Sequence, residues 1–460
     1  MLSKERIQNR IAAYQGVNEM LTRSRSLLTV IIIIAVIALI WLGHTFLEGE
    51  KPDIQITPLL KTIGKTTRAS ITVTDSKSGL RSVTVVLKDD AKEHELRTLT
   101  FPAKGHIEEK ISIEIKPREN GFKDGKAVLE ITATDFSIRN NSRTVSLDVT
   151  IDTIPPRIYP LWSAHYINVG GAGVTRYRLS EDNIPTGVEV NGTRYRGYRT
   201  IIDNQPAYVC YFACPILSGR EQLKIGIVAE DEGGNRSFVP LSYIIKSKEF
   251  RKSVISIDQK FLDQIISEFQ ERFDAIANVD PVRAFMYINE TLRADTDKMI
   301  SSICRNSSSK KLWEGTFLRM KNGAPMALFG DSRTYMFSGR AIGTSDHLGI
   351  DLASTESAAV EAANSGIIAY ADYLGIYGNA VIVDHGLGLF SLYGHLSSIQ
   401  VQKGQSVRKG EIIGRTGMTG FAGGDHLHYS ILVEPTFVNP TEWWDPHWIE
   451  DNVTGSVTPS

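Results

Sequence analysis

The pattern of apolar and polar positions changes several times along the chain, and the first change comes near the amino terminus. Residues 27–47 form an almost unbroken apolar run, in which only Thr29, His44 and Thr45 are polar. A helix of this length spans a hydrocarbon layer of about 30 Å. We therefore predict a transmembrane anchor at 27–47, in preference to a buried helix of a soluble domain.

The charges before this run predict the orientation of the anchor. Two acidic residues, Glu5 and Glu19, precede it together with a larger number of basic residues: Lys4, Arg6, Arg10, Arg23 and Arg25. By the positive-inside rule, residues 1–26 form a cytoplasmic tail and the rest of the chain is exported. The run ends without the small-residue site at which a signal peptide is cleaved. We expect a retained single-pass anchor in the cytoplasmic membrane, with the remaining domains on its periplasmic side.

After the predicted anchor, apolar residues recur at every second position, as they do on one face of a β-strand. Short β-branched segments such as 69–74 and 127–133 alternate with turn phrases such as D-S-K-S-G, which is typical of a β-sandwich. Paired prolines at 155–156 cannot continue a strand ladder and mark a boundary. Phrases of the first region recur in part beyond it, and the later A-x-D-x-x-G-N-x-S resembles the end of an immunoglobulin-like surface repeat. We predict immunoglobulin-like sandwiches at 53–153 and 157–247.

The period changes again after the second sandwich. Apolar residues recur there at three- and four-residue spacing on one helical stripe: Phe261, Leu262, Ile265, Ile266, Phe269 and Phe273. We predict a helical connector and polar linker at 254–312. The stripe could be a partner-binding or dimer face, but packing against the next domain is the favoured interpretation. The connector could also cover a site in that domain and hold it latent.

Glycine turns and β-branched residues dominate 313–448, which predicts an antiparallel sheet domain. We expect 449–460 to be a tail. The predicted fold class is therefore mainly β: an antiparallel sheet domain preceded by two immunoglobulin-like sandwiches, a short helical segment and one transmembrane helix.

Composition narrows the possible functions only slightly. The length of 460 residues predicts several domains, and 42% hydrophobic with 22% charged residues is ordinary for folded protein. The formal net charge of −1 gives no reason to expect a nucleic-acid partner. On an extended strand Cys210 and Cys214 would lie too far apart for a disulfide, so we expect them to be buried small apolar residues.

Histidine is concentrated in the last predicted domain. Four histidines fall in three short phrases, H-L-G-I-D, Y-G-H-L and G-D-H-L-H-Y. Residues i and i+2 of a strand share a face, so His426 and His428 project together. His347 and Asp351 could bind one ion if the backbone bends between them, which Gly349 permits. Because two imidazoles and one carboxylate form a known ligand set for catalytic zinc, the phrases predict a metal site with imidazoles to spare.

Together with I-V-D-H-G-L-G, F-G-D-S-R-T-Y and P-T-E-W-W-D, these phrases resemble the LytM/lysostaphin-like family of zinc metallopeptidases, which are peptidoglycan endopeptidases. The likeness covers the predicted sheet domain, less than a third of the chain. It implies that His347, Asp351 and His428 bind Zn²⁺, and that His395 and His426 sit beside the metal without being permanent ligands. None of the five is substituted, whereas family members that lost ligands resemble activators of other hydrolases.

Zinc chemistry then suggests a role for each group. Three protein ligands leave a fourth position for a water that attacks an amide carbonyl. The domain lacks the glutamate base of an H-E-x-x-H site, so we assign His395 and His426 to water activation, oxyanion stabilisation and protonation of the leaving amine, in an order left open. We expect His385 to support the structure. The tryptophans at 443, 444 and 448 could form a binding wall, but we favour a role in capping the core at the end of the domain.

The anchor and the resemblance together predict a membrane-anchored zinc endopeptidase that hydrolyses peptide bonds in stem peptides or cross-links of peptidoglycan. An envelope protein is a candidate partner of the sandwiches. Two alternatives stay open: a peptidoglycan-binding module or activator whose metal is idle, and a structural envelope protein. The exact scissile bond is not predicted.

Overall fold

A computed structural model describes residues 27–42, 49–163, 166–216 and 223–455. These form two compact units. The first holds the chain up to Ile154 together with Glu232–Asn235, and the second holds Pro155–Asp231 and the chain from Arg236 onward. Strands predominate over helices, which confirms the mainly β fold class.

The amino-terminal helix α1 covers residues 27–42. Among the residues that the structure describes, no helix combines the length and the apolar character needed to cross a membrane. The predicted tail at 1–26 and the last five residues of the predicted anchor, 43–47, lie outside the described residues.

The first unit is a sandwich of two sheets. Its strands are β1 Asp53–Thr57, β2 Thr62–Ile63, β3 Thr67–Thr74, β4 Leu80–Lys88, β5 Glu93–Thr100, β6 Glu108–Ile115, β7 Gly125–Asp135 and β8 Ser142–Ile151. One sheet has the order β1-β3-β6 and the other β2-β8-β7-β4-β5. The alternation of apolar and polar residues in the sequence corresponds to alternating burial. In β7, every second side chain from Ala127 to Ala133 lies in the core.

A second sandwich opens the second unit. Its strands are β9 Ile158–Ser163, β10 Tyr166–Asn168, β11 Ala172–Leu179, β12 Thr186–Val190, β13 Thr193–Arg196, β14 Tyr198–Ile202, β15 Gln205–Ala213, β16 Ile225–Glu230, β17 Arg236–Pro240 and β18 Ile244–Lys246. Two four-stranded sheets, β14-β15-β11-β9 and β13-β12-β16-β17, face each other, and β10 pairs with β18. Cys210 and Cys214 are buried and free, as predicted.

The connector follows as strand β19 and three short helices. Their bounds are β19 Lys252–Ser256, α2 Gln259–Gln270, α3 Pro281–Tyr287 and α4 Arg293–Ile303, with a 3₁₀ turn at Asp274–Ile276 and a π-helical turn at Ile288–Leu292. Asp258 caps α2 by accepting from the Phe261 amide. The predicted stripe buries Ile265 and Phe269 in one cluster with Phe390 of the sheet domain. The prediction that the stripe packs against the next domain is confirmed.

The sheet domain completes the second unit. Its strands are β20 Ala324–Ala327, β21 Ser332–Phe337, β22 Arg340–Asp346, β23 Ile350–Ala353, β24 Ala359–Glu361, β25 Gly366–Tyr373, β26 Asn379–Gly386, β27 Leu389–Gly394, β28 Ser398–Ile399, β29 Ser406–Val407, β30 Ile412–Arg415, β31 Leu427–Val433 and β32 Thr436–Val438. The main sheet has the order β20-β23-β31-β27-β26-β25-β29, with β32 beside β31. Smaller sheets are β19-β21-β22 and β24-β30-β28.

Helices α5 Pro440–Trp444 and α6 Pro446–Ile449 close the domain. Trp443 is fully buried, with its ring 5.6 Å from that of Trp313 and 6.2 Å from that of Tyr211 in the second sandwich. Trp448 packs on Trp443 as well, so the prediction that these tryptophans cap the core is confirmed for both. The segment predicted as a tail from 449 is helical up to Thr454, and residues 456–460 lie outside the described residues.

Candidate metal centre and active site

Two adjacent antiparallel strands bring the predicted ligands together. In the pairing of β23 with β31, Asp351 lies directly opposite His428. His347 follows the end of β22, and its backbone amide donates to the Asp331 carbonyl. Gly349 allows the close approach: a Cβ there would lie 2.5 Å from Nε2 of His428.

Three ligand atoms converge at this point. Asp351 Oδ1 lies 2.9 Å from His347 Nε2 and 2.9 Å from His428 Nδ1, and the two nitrogens are 3.1 Å apart. Ligand atoms held about 2.0–2.2 Å from a tetrahedral zinc ion lie roughly 3.3 Å from one another. The sides of the triangle formed by His347, Asp351 and His428 are therefore within about 0.4 Å of the separation that one zinc ion requires.

Hydrogen bonds on the far side of each ring fix the lone pairs that face this triangle. His347 Nδ1 lies 2.9 Å from the Leu328 carbonyl, which can only accept, so Nε2 keeps its lone pair. Ser430 Oγ donates to the Leu348 carbonyl and accepts from His428 Nε2 at 2.9 Å, so Nδ1 keeps its lone pair. Two lone pairs and a carboxylate oxygen in contact repel one another unless a cation lies between them, so this donor set fits zinc.

The charges of the ligands agree with this arrangement. Burial lowers the pKa of His428 to about 4, which keeps the ring neutral at pH 7. Burial alone would raise the pKa of Asp351, but the polar groups around it outweigh burial and hold that pKa well below its usual range, so the carboxylate is ionised. The other oxygen of Asp351, Oδ2, accepts from the Arg333 guanidinium at 3.2 Å.

The two remaining predicted histidines line the same cavity. His395 follows β27 in a left-handed backbone conformation with φ +61°, and its Nδ1 donates to the Thr419 carbonyl at 2.8 Å. His426 Nδ1 donates to the Gly424 carbonyl at 2.8 Å, and its Nε2 lies 3.6 Å from Asp351 Oδ1. In both rings Nε2 is the atom free to exchange a proton, and the ring centroids are 4.8 Å apart.

These two rings differ in basicity. Burial and the neighbouring His426 and His428 rings hold the pKa of His395 well below its ordinary value. Burial also lowers the pKa of His426, but the Asp351 carboxylate outweighs it and raises that pKa. The arrangement offers two imidazoles of unequal proton affinity beside one candidate metal position, which is suited to proton transfer during hydrolysis.

Several residues of the cavity escaped the sequence analysis. The cavity has a volume of about 220 Å³. Besides the histidines, it is lined by side chains from β21, from the 3₁₀ turn Gly375–Tyr377, from the loop before β31 and from the connector: Arg333, Tyr335, Tyr377, Phe421, Phe261 and Arg293. Arg333 stands in the F-G-D-S-R-T-Y phrase, and Ser430 continues the i, i+2 pattern of His426 and His428. Both could have been found from these signals.

His385 lies outside the ligand cluster. It is fully buried, with Nδ1 2.8 Å from the Ser365 carbonyl and Nε2 2.7 Å from Ser391 Oγ. Burial lowers its pKa to about 4. Its expected structural role is confirmed. Among the described residues, the one group that could hold a metal ion is His347, Asp351 and His428.

Comparison with known proteins identifies this region. Residues 345–440 match the family model described as Peptidase family M23. The segment is 43% identical over 94 residues to the DD-carboxypeptidase/endopeptidase Mpg of Neisseria meningitidis, covering 20% of this chain and 22% of that protein. It is 37% identical over 95 residues to the murein hydrolase activator EnvC of Escherichia coli, covering 21% and 23%.

One solved structure is also similar to part of this chain, at lower sequence identity. The catalytic domain of lysostaphin from Staphylococcus simulans is 26% identical, over 28% of this chain and 96% of that one, with a TM-score of 0.24. The chain thus spans less than a quarter of the length of each of the two curated relatives named above. The carboxyl-terminal part of the chain, at residues 345–440, is a domain of peptidase family M23.

Proposed function

We propose that this chain is a zinc-dependent peptidoglycan endopeptidase that hydrolyses peptide bonds in stem peptides or cross-links. The observation that carries the proposal is the convergence of His347 Nε2, Asp351 Oδ1 and His428 Nδ1 beside two further imidazoles in one cavity. The relatives named above support the proposal, because one is named as a DD-carboxypeptidase/endopeptidase and the other as a murein hydrolase activator.

The proposed chemistry assigns a task to each side chain. Zinc held by His347, Asp351 and His428 would supply Lewis-acid polarisation of the scissile carbonyl and make water more acidic. His395 and His426 present Nε2 to the cavity, accept the proton that water loses and deliver a proton to the leaving amine. Water adds across the amide, so the products are one carboxylate and one free amine. Arg333 holds the Asp351 carboxylate so that Oδ1 faces the ligand triangle.

An activator function is the second candidate, because one relative is named as a murein hydrolase activator. The complete set of three ligand side chains and two further histidines favours catalysis. The two candidates make different predictions, since an activator alone would leave purified peptidoglycan intact.

We further propose that residues 27–47 anchor the chain in the cytoplasmic membrane, with the peptidase domain on the periplasmic side. The apolar run and the basic residues before it support this topology. Peptidoglycan lies on that side of the membrane, so the location agrees with the proposed substrate. Protease accessibility of the peptidase domain in spheroplasts tests it: a domain cleaved only after lysis would contradict the proposal.

Digestion of purified peptidoglycan, with mass spectrometry of the muropeptides, tests the enzymatic proposal. The zinc-loaded full chain should yield fragments that have gained one water, and chelation should stop the reaction. His428→Ala should lose both zinc and cleavage, because it removes one of three ligands. His447→Ala is the matched control, since that side chain is exposed on α6. A His428→Ala variant with full zinc content and activity would overturn the proposal.

A further inference from the structure

One wall of the candidate active site comes from the connector, outside the residues that match the family model. Helix α2 holds the loop that leads to His426. Glu268 accepts from the Gly420 amide at 3.0 Å, and the Gln264 side chain donates to the Ala422 carbonyl at 3.3 Å. Phe261 packs edge-on against Phe421, with 6.4 Å between the ring centroids. Hydrogen bonds and aromatic packing therefore attach helix α2 to the loop that leads to His426.

Arg293 projects from this wall into the cavity. Its guanidinium donates to the backbone carbonyl of Asn289 through Nε and to the Asn289 side chain through Nη2, each at 3.1 Å. Asn289 is itself buried and donates to the Thr344 carbonyl at 3.0 Å. The Arg293 guanidinium carbon lies 5.7 Å from the Phe421 ring centre. These contacts hold the guanidinium in one position before any ligand arrives.

The charge of Arg293 is not neutralised by an ion pair. Of the two arginines in the cavity, Arg333 is paired with Asp351 at 3.2 Å. No carboxylate in the described part of the chain lies within 4.0 Å of the Arg293 guanidinium. Asp297 lies one turn further along α4. Burial raises the pKa of Asp297, and the positive charge of Arg293 opposes this shift. A guanidinium has five N–H donors, so Arg293 retains donors for an anionic ligand.

We propose that Arg293 is a specificity-determining residue that binds a free carboxylate of the peptide substrate close to the scissile bond. The inference rests on the proposed function, because it concerns the substrate of the same site. A planar guanidinium matches the two oxygens of a carboxylate. Arg293 lines the same cavity as His347, Asp351 and His428, so the carboxylate belongs to a residue flanking the bond. Such residues are chain-terminal ones, or diamino acids whose side-chain amine forms the cross-link while a carboxylate stays free.

Neutral linkers are then poor substrates. A bridge of glycine residues, or a stem peptide whose carboxylate is amidated, offers Arg293 no anion. Charge-assisted hydrogen bonds contribute about 1.5–3 kcal/mol each, which corresponds to a roughly 10- to 150-fold difference in affinity. The enzyme should discriminate between the carboxylate and amide forms of one peptide by a factor in this range.

Calorimetric binding of two synthetic cross-linked peptides tests the proposal. They are identical except that the carboxylate beside the scissile bond is free in one and amidated in the other. The titrated protein is the zinc-loaded full chain carrying His395→Ala, which slows turnover during the measurement. It should bind the carboxylate form roughly 10- to 150-fold more tightly. Adding Arg293→Gln should abolish the preference by weakening only the carboxylate form, and Arg293→Lys should keep part of it.

Arg283→Gln is the matched control, because Arg283 is exposed on the neighbouring helix α3. It should leave the preference unchanged. Equal binding of the two peptides to the His395→Ala protein, or an intact preference in the Arg293→Gln variant, would overturn the proposal. Cleavage of both peptides at equal rates by the wild type would reject the proposed role of Arg293 but not the proposed enzymatic function. A binding preference without any cleavage by the wild type would reject the proposed enzymatic function instead.

Discussion

At the scale of single residues, the candidate metal site depends on hydrogen bonds that fix imidazole tautomers. The Ser430 hydroxyl accepts a hydrogen bond from His428 Nε2 and donates one to the Leu348 carbonyl. Without this acceptor, the His428 ring could place its hydrogen on Nδ1, the atom that faces the other two ligands. The serine therefore keeps the correct lone pair available to the metal.

The Ser430→Ala variant should bind zinc about 10- to 100-fold more weakly than the wild type, because partners of this kind contribute that much to metal affinity. Competition with a chelator of known zinc affinity measures the change. Ser397→Ala provides a control, since Ser397 is exposed and lies outside the ligand cluster. An unchanged affinity in Ser430→Ala would contradict the account of the tautomer.

The residue scale also shows how far sequence reasoning reaches. Strand periodicity placed His426 and His428 on one face, and it extends to Ser430 without further assumptions. The Leu328 carbonyl that orients His347 carries no such signal. It is a backbone atom 19 positions away, brought near by the turn before β21. A backbone acceptor has no residue type that a pattern can reveal, so this contact needed the structure.

At the scale of elements, the apolar stripe of α2 was visible in the sequence, but its consequence for the site was not. The stripe predicted burial, and Ile265 and Phe269 are buried. Phe261 lies at the edge of the same stripe and packs on Phe421, more than 150 positions later in the chain. Helical periodicity gives the face of a residue and not its distant partner. The connector is thus part of the cavity wall. A fragment that starts at the predicted domain boundary of 313 would lack this part of the wall.

The strands illustrate the same limit. Alternation predicted sheets, and the pairing of β23 with β31 then determined which ligands meet. These strands are separated by more than 70 residues, and the order β20-β23-β31-β27 follows from the packing of the whole domain. The family resemblance supplied the ligand set that local patterns left open.

At the scale of the whole molecule, the second sandwich and the sheet domain share one hydrophobic core within the second unit. A buried carboxylate joins them. Glu442 of α5 accepts from the Asn168 side chain at 2.7 Å and from the Ala172 amide at 2.8 Å. Burial raises its pKa from 4.5 to about 7, although these hydrogen bonds oppose the change. The sandwich is therefore coupled to the peptidase domain through a titratable contact.

This coupling predicts a pH dependence of stability. Between about pH 4.5 and 7 the folded state retains the Glu442 proton and the unfolded state does not, so the free energy of unfolding decreases as the pH rises through this window. The free energy of unfolding should fall by an amount on the order of 3 kcal/mol across this window, and Glu442 should cause no further change above pH 7. Urea unfolding followed by tryptophan fluorescence measures it. Glu442→Gln cannot ionise, so its profile should lack this decrease, and parallel profiles of the two proteins would contradict the prediction.

The account centres on hydrolysis by the five-residue cluster, and one measurement tests this most directly. It is the rate at which new amine termini appear in purified peptidoglycan, with the zinc-loaded wild type and His395→Ala side by side. The account predicts cleavage by the wild type, and a rate on the order of 10²- to 10⁴-fold lower for His395→Ala at equal zinc content, because a proton-transfer group is lost. An intact substrate after treatment with the zinc-loaded wild type, or equal rates for the two proteins, would contradict it.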